Sequence, residues 1–195
     1  QESYTYGIDI IYEKGWDLKK SNALAYVGFN QKNNRVKNDF YPTPPEATEV
    51  LLDKFNFDGN IWECACGDGS MSKVLEQKGY NVYSSDLIDR GYGESGVDFL
   101  KTYKKFDNII TNPPFNLSTE FTLQALHLAK NNVAMLNKLS FLEGINRKNK
   151  VFIQNRLKYI YVFSKRIKFG GNGLMAFAWF IFDKNYDGKP ILDWV

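Results

Sequence analysis

Four short stretches carry side chains suited to chemistry. "IITNPPFN" (Ile109–Asn116) brings an apolar run to Asn112, then Pro113, Pro114 and Phe115. Each proline fixes φ and removes a backbone donor, so the loop conformation and its free carbonyls are set in advance. "WECACGDGS" follows an apolar run and opens a helical pattern, the place where open α/β sheets bind ligands. Gly67 and Gly69 permit close approach of a ligand to backbone. The turn lacks the third glycine of a dinucleotide fingerprint and the Gly-Lys-Ser/Thr of a phosphate loop, so it suits a nucleoside without a pyrophosphate. Glu63, just before it, can balance a cationic ligand. Asp86 closes the next apolar run, where an acid accepts from ribose hydroxyls. Asp98-Phe99 either holds an adenine ring or is a surface acid beside a core Phe.

The elements that must position these groups follow from periodicity. "PTPPEATEVLLDKF" reads as a helix start, with Thr43 as cap, Pro44 and Pro45 in the first turn and Glu46 at the positive end. Residues 71–80 form a helix stopped by Gly79, and 118–130 form another. Strands are expected at 60–65, 81–86, 106–112, 132–136, 157–163 and 174–182. Alternating strands and helices give a mostly parallel sheet with helices on both faces. The last two strands have no helix between them and should be antiparallel. "LMAFAWFIF" is apolar on both faces and suits an interior strand. Residues 1–39 show no lasting period and are expected to form an arm or lid before a single domain over 40–195.

Composition narrows the class. The 195 residues are 44% hydrophobic and 24% charged, ordinary for one soluble domain. Two Cys and one His are too few for a disulfide framework or a zinc site, and no metal is expected. Cys64 and Cys66 would point to one face of a strand as small buried filler, and His127 would be packed or half-exposed in a helix. With no secretory signal and no apolar run of membrane-spanning length, a cytoplasmic location without membrane contact is expected. Charge is uneven: residues 141–170 hold eight basic side chains and one acid, net +7, against +3 for the whole chain. That window is either a solvated face or a surface for a polyanion. Its aromatic neighbours Phe141, Tyr159 and Phe169 are either stacking or core residues, and Lys32, Arg35 and Lys37 in the arm are further candidate contacts.

The ordered set of glycine turn, acid, acid-aromatic and NPPF resembles the class I S-adenosylmethionine-dependent methyltransferases, and within them the DNA adenine-N6 enzymes. "FYPTPPEAT…WECACGDG…SDLIDRGYG…DFL…FDNIITNPPFN" is similar to small phage and prophage members, from about Asp39 onward. The resemblance implies a Rossmann-like fold, a mostly parallel seven-stranded sheet with an antiparallel C-terminal strand. It implies S-adenosylmethionine as cofactor and DNA as partner in preference to RNA, with a recognition partner or a homodimer left open. Thr43 and Pro44 would lie on the cofactor's methionine end, with Glu63, Ala65 and Gly67 forming its cradle. Asp86 would take the ribose, and Asp98 the adenine amine with Phe99 nearby. Tyr41, Cys64 and Leu87 complete the implied cofactor set. Asn112, Pro113, Pro114 and Phe115 would hold the target base. Cys64 stands where many relatives have Pro, and no large recognition domain follows the catalytic part. Other acceptors for the same motif are an RNA amine or a protein glutamine; a non-catalytic binding subunit is a further alternative.

Overall fold

The computed structural model describes residues 40–169 and 175–195; the expected arm over 1–39, with Lys32, Arg35 and Lys37, lies outside them. Eight strands are present among the described residues: β1 (Ile61–Glu63), β2 (Val82–Asp86), β3 (Glu94–Ser95), β4 (Phe106–Thr111), β5 (Ala129–Lys138), β6 (Leu157–Val162), β7 (Phe177–Asp183) and β8 (Ile191–Trp194). They form one sheet in the order β3-β2-β1-β4-β5-β7-β6-β8. β7 is antiparallel to both β5 and β6, and every other pairing is parallel. All strands but β7 therefore end at one edge of the sheet.

The expected antiparallel pairing of the last two predicted strands is present as β6 and β7. Among the described residues the sheet has eight strands where seven were expected, and the final strand, β8, lies parallel to β6. β8 alternates no core face, since Ile191, Leu192 and Trp194 are exposed, so its apolar pattern gave no strand signal. β1 stops at Glu63 instead of Ala65, because the chain turns into the glycine loop there. Cys64 and Cys66 therefore do not share a strand face; both are buried free thiols.

Pleating sorts the interior strands onto two cores. On one face Trp62, Ile109, Met135 and Phe180 pack with Phe121 and Ala125 of α3 (Ser118–Leu128). On the other, Ile61, Ile110, Leu136 and Trp179 pack with Leu51 of α1 (Pro45–Lys54) and with Met71 and Leu75 of α2 (Ser70–Gln77). β7 is buried on both faces, which explains its unbroken apolar run. Trp179 also donates from Nε1 to the Ala47 carbonyl at 2.7 Å, tying α1 to the sheet. α3 ends at Leu128, two residues early, because Ala129 already pairs with Phe106 of β4. His127 is exposed on its last turn. No helix among the described residues is long and apolar enough to cross a membrane.

One buried acid joins four elements. Glu63 is only 1% exposed. Thr111 of β4 donates to Oε1 (2.8 Å) and Ser72 of α2 to Oε2 (3.4 Å), while Ser84 of β2 donates to Ser72 (2.7 Å). Burial drives the carboxyl up from 4.5 to about 8; the Thr111 bond opposes this, and Asp86 adds to it. The folded state thus holds the proton more tightly than the unfolded chain. The resulting stability is complete below about pH 4.5 and is lost as pH rises to about 8. Glu63→Gln, which stays neutral, should unfold at the higher temperature of the two above pH 8, with the gap closing in acid. Thermal melts of both proteins across this range check it, and parallel curves would contradict it.

Candidate active site

The loops leaving β1, β2, β4 and β5 meet at the shared edge. After β4 the two prolines carry the chain into a single 3-10 turn (Phe115–Leu117), and α3 begins at once. Leu117 N–H closes the turn on the Pro114 carbonyl (2.9 Å), and Ser118 Oγ donates to the Phe115 carbonyl (3.1 Å). Asn112 sits at the start of this bend. Its Nδ2 donates to Thr43 Oγ1 (3.1 Å) and, at 3.4 Å, to the Tyr41 carbonyl. A carbonyl only accepts, so it fixes which end of the amide faces the Phe40–Pro44 strap. Asn112 Oδ1 is left buried with no partner among the described residues. An unmatched buried acceptor costs about 1–3 kcal/mol, so it is a feature that needs a reason.

Thr43 therefore does not cap α1. The N-cap is Pro44, with no side-chain cap, and the Thr43 hydroxyl accepts from Asn112 instead. Pro45 and Glu46 stand in the first turn as expected, while Pro44 lies one position before it. Phe115 is not an open platform either. Tyr41 stacks on it (5.7 Å between centroids, 25° between planes), and Lys138 Nζ stands 4.8 Å from its centroid. Phe177 and Phe169 pack against it at 5.5 and 6.3 Å. A planar guest on Phe115 competes with these neighbours.

The glycine turn lies beside this box. Gly67 and Gly69 both have positive φ, +57° and +80°. A Cβ on Gly67 would come within 2.3 Å of the Phe40 ring, and one on Gly69 within 2.4 Å of the Tyr92 ring. Both positions need glycine for conformation and for room. Asp86 Oδ2 accepts from Gly67 N–H and Oδ1 from Ile88 N–H, each at 2.9 Å. Each carboxylate oxygen keeps a lone pair for another donor. The Arg90 guanidinium stands 4.0 Å from the Phe40 ring. Phe40, Arg90, Tyr92 and Lys138 were not anticipated as site residues. Phe40 and Tyr92 lie within quoted stretches, but only folding shows that their rings cover the turn.

Asp98 and Phe99 separate. Phe99 is buried between Trp62 (5.2 Å) and Phe121 (5.1 Å) and offers no stacking face. The core reading holds for it, because the 3-10 turn that Asp98 caps rolls the ring inward. Asp98 accepts from Leu100 N–H (3.1 Å) and pairs with Lys101 (2.9 Å), which holds its carboxyl below the ordinary value. Val97 N–H donates to the Asp86 carbonyl, so Asp98 still lies close along the chain to the β2 end. Leu87 is exposed beside Asp86, and Ala65 is half-buried before the turn. Cys64 joins the core under α3, and burial pushes its thiol up.

The basic window divides as well. Arg147 donates from Nε to the Phe141 carbonyl (2.9 Å), Arg156 donates to the Lys184 carbonyl (2.7 Å), and Lys158 pairs with Asp183 (3.0 Å). These three shape the fold. Lys148, Lys150, Lys165, Arg166 and Lys168 are exposed. The last three follow β6 at its carboxyl end, the edge that carries Asn112. Phe141 and Phe169 pack within the protein, on Phe180 and on Phe115, and Tyr159 stacks on Tyr161.

No family model matches the chain. An uncharacterised RNA methyltransferase of Bacillus cereus (strain ATCC 10987 / NRS 248) is 28% identical over an alignment of 137 residues, with 56% of this chain and 27% of that protein covered. The chain thus matches about a quarter of that relative's length. A proposed class I S-adenosylmethionine-dependent methyltransferase from Listeria monocytogenes superposes with a TM-score of 0.64 at 15% identity, over 89% of this chain and 71% of that one. A proposed RNA methyltransferase from Pyrococcus horikoshii gives 0.62 at 18%, over 83% and 94%. The modification subunit of a proposed type I restriction enzyme from Vibrio vulnificus YJ016 gives 0.55 at 15%, over 80% and 47%. Together with the strand order and the reversed β7, these likenesses establish that the chain has the fold of the class I S-adenosylmethionine-dependent methyltransferases.

Proposed function

We propose that the chain is a DNA methyltransferase that moves a methyl group from S-adenosylmethionine to the N6 amine of an adenine flipped into the pocket at Asn112–Phe115. The observation that carries this reading is the buried Asn112 Oδ1, without a partner among the described residues, beside two prolines. An adenine amine is a weak nucleophile because its lone pair is delocalised into the ring. Asn112 Oδ1 accepts one amine hydrogen and the Pro113 carbonyl the other, which draws the nitrogen toward tetrahedral geometry and localises the pair. Both acceptors are held before the substrate arrives, so little reorganisation is needed as charge develops. The cofactor supplies an already activated methyl on sulfonium, and positioning matters more than a strong base.

The residues around the turn fit that cofactor. The side-chain-free backbone at Gly67 already admits a planar ring, that of Phe40. Asp86 retains acceptor capacity for ribose hydroxyls, Leu87 is exposed beside it, and Asp98 would exchange its exposed Lys101 partner for an adenine amine. Glu63, expected to balance a cation, is instead held neutral by burial below the turn and braces it through Thr111 and Ser72; Tyr41, Thr43 and Pro44 bound the methionine end. The likeness to a modification subunit of a type I restriction enzyme supports DNA. RNA is the second reading, favoured by the Bacillus relative. Labelled S-adenosylmethionine offered with unmethylated DNA, RNA and protein in parallel separates the two: N6-methyladenine in DNA supports the first, and label in RNA alone overturns it.

Asn112→Ala should lower kcat by about 10²–10³, the range for losing one preorganised charge-stabilising group. Calorimetry should still detect cofactor binding, and an active Ala variant would exclude the clamp. Single Ala variants of Lys148, Lys150, Lys165 and Lys168 should each reduce the salt slope of DNA binding by up to about one unit, measured from 50 to 200 mM salt. An unchanged slope would make that surface merely solvated.

A further inference from the structure

We propose that Ile145 is a wedge that fills the gap left in a DNA duplex when the target adenine leaves the stack. This rests on the reading above and deepens it, since only a stacked, paired substrate needs such a wedge. Ile145 is 66% exposed, and Leu142 and Ile153 in the same segment are 38% and 67% exposed. A single exposed isoleucine is ordinary. Here the exposed apolar groups flank Lys148 and Lys150, in a window with one acid, Glu143.

The exposure is built in. Ile145 begins the short helix α4 (Ile145–Arg147), directly after Gly144 at φ +102°. Arg147 reaches back from Nε and Nη2 to the carbonyls of Phe141 (2.9 Å) and Ser140 (3.4 Å). Phe141 is buried against Phe180 (5.3 Å) and Phe152 (5.6 Å), so the loop is stapled to the core while Ile145 points away from it. Lys148 N–H closes on the Gly144 carbonyl at 3.0 Å and fixes the turn.

Placement selects Ile145 from the three. The loop leaves the carboxyl end of β5, the strand beside the one that delivers Asn112. The last residue of β5, Lys138, stands over Phe115. Ile153 is equally exposed, but the chain there is running toward the start of β6, at the opposite edge of the sheet. Leu142 is mostly covered. Taking a base out of a duplex costs a few kcal/mol of stacking and pairing, and proteins that open base steps insert apolar side chains such as Leu or Ile. Lys148 and Lys150, a few residues on, then meet flanking phosphates.

The test compares wild type, Ile145→Ala and Ile145→Leu on native and heat-denatured forms of one unmethylated plasmid DNA, with labelled S-adenosylmethionine. Ile145→Ala should lose about ten-fold or more in kcat/KM on native DNA, equivalent to about 1.4 kcal/mol, and less than about two-fold on the denatured strand. Ile145→Leu should restore the native rate, and all three should bind S-adenosylhomocysteine equally in calorimetry. Equal rates for Ala and wild type on native DNA, or equal losses on both substrates, overturn the wedge. A wild type that methylates only denatured DNA removes the wedge and leaves the adenine reading standing. A wild type that methylates neither form removes the DNA reading and the wedge with it.

Discussion

The amide of Asn112 is held by its nitrogen, and that leaves its oxygen to act. Thr43 and the Tyr41 carbonyl occupy the donor end. Both belong to the strap before α1, so the clamp is only as rigid as α1's seat. That seat is the buried face of Ala47, Thr48 and Leu51, together with the Trp179 bond to the Ala47 carbonyl. Trp179 lies on β7, 132 residues away in sequence. The reversed strand thus completes the sheet and also fixes the strap that orients the candidate catalytic amide. The unpaired oxygen is the cost of this arrangement, tolerated where a ligand can repay it.

Two acids frame the glycine turn and are held in different ways. Asp86 takes two backbone N–H groups and so ties the turn to β2. Glu63 is buried below, with hydroxyl donors and, among the described residues, no ion pair, and burial favours its neutral form. Both acids thus shape the turn, Asp86 through backbone N–H groups and Glu63 through hydroxyls. Aromatic rings complete the surroundings: Phe40 and Tyr92 rest on the glycines, and Tyr41 rests on Phe115. The adjacent residues Phe40 and Tyr41 thus touch both halves of the site.

The basic window illustrates how charge is spent. Arg147, Arg156 and Lys158 bond to carbonyls or to Asp183, and these bonds hold loops in place. The remaining lysines are exposed, some on the edge that carries the clamp. The same segment therefore builds local structure with some cations and presents others. Arg147 joins both uses, because its bonds to Phe141 and Ser140 set the platform from which Ile145 projects.

Much of the architecture was legible in local pattern. The apolar run of β7, the glycine stop after α2 and the proline entry to α1 follow from burial on both faces and from fixed φ values. NPPF after a strand, the two glycines and Asp86 were also legible, because turn chemistry is a property of neighbouring residues. Other features were decided by partners far along the chain. β8 carries no alternating core face, so only its pairing with β6 makes it a strand. Phe99 belongs to the core because Trp62 and Phe121 close on it. Thr43 had a cap's chemistry, but Asn112 claimed its oxygen across 69 residues. The sequence by itself determined which groups stand at strand ends, since periodicity and turns are local. Tertiary structure decided which of their atoms are already bonded and which remain open to a ligand, since that depends on what folding brings within hydrogen-bond reach.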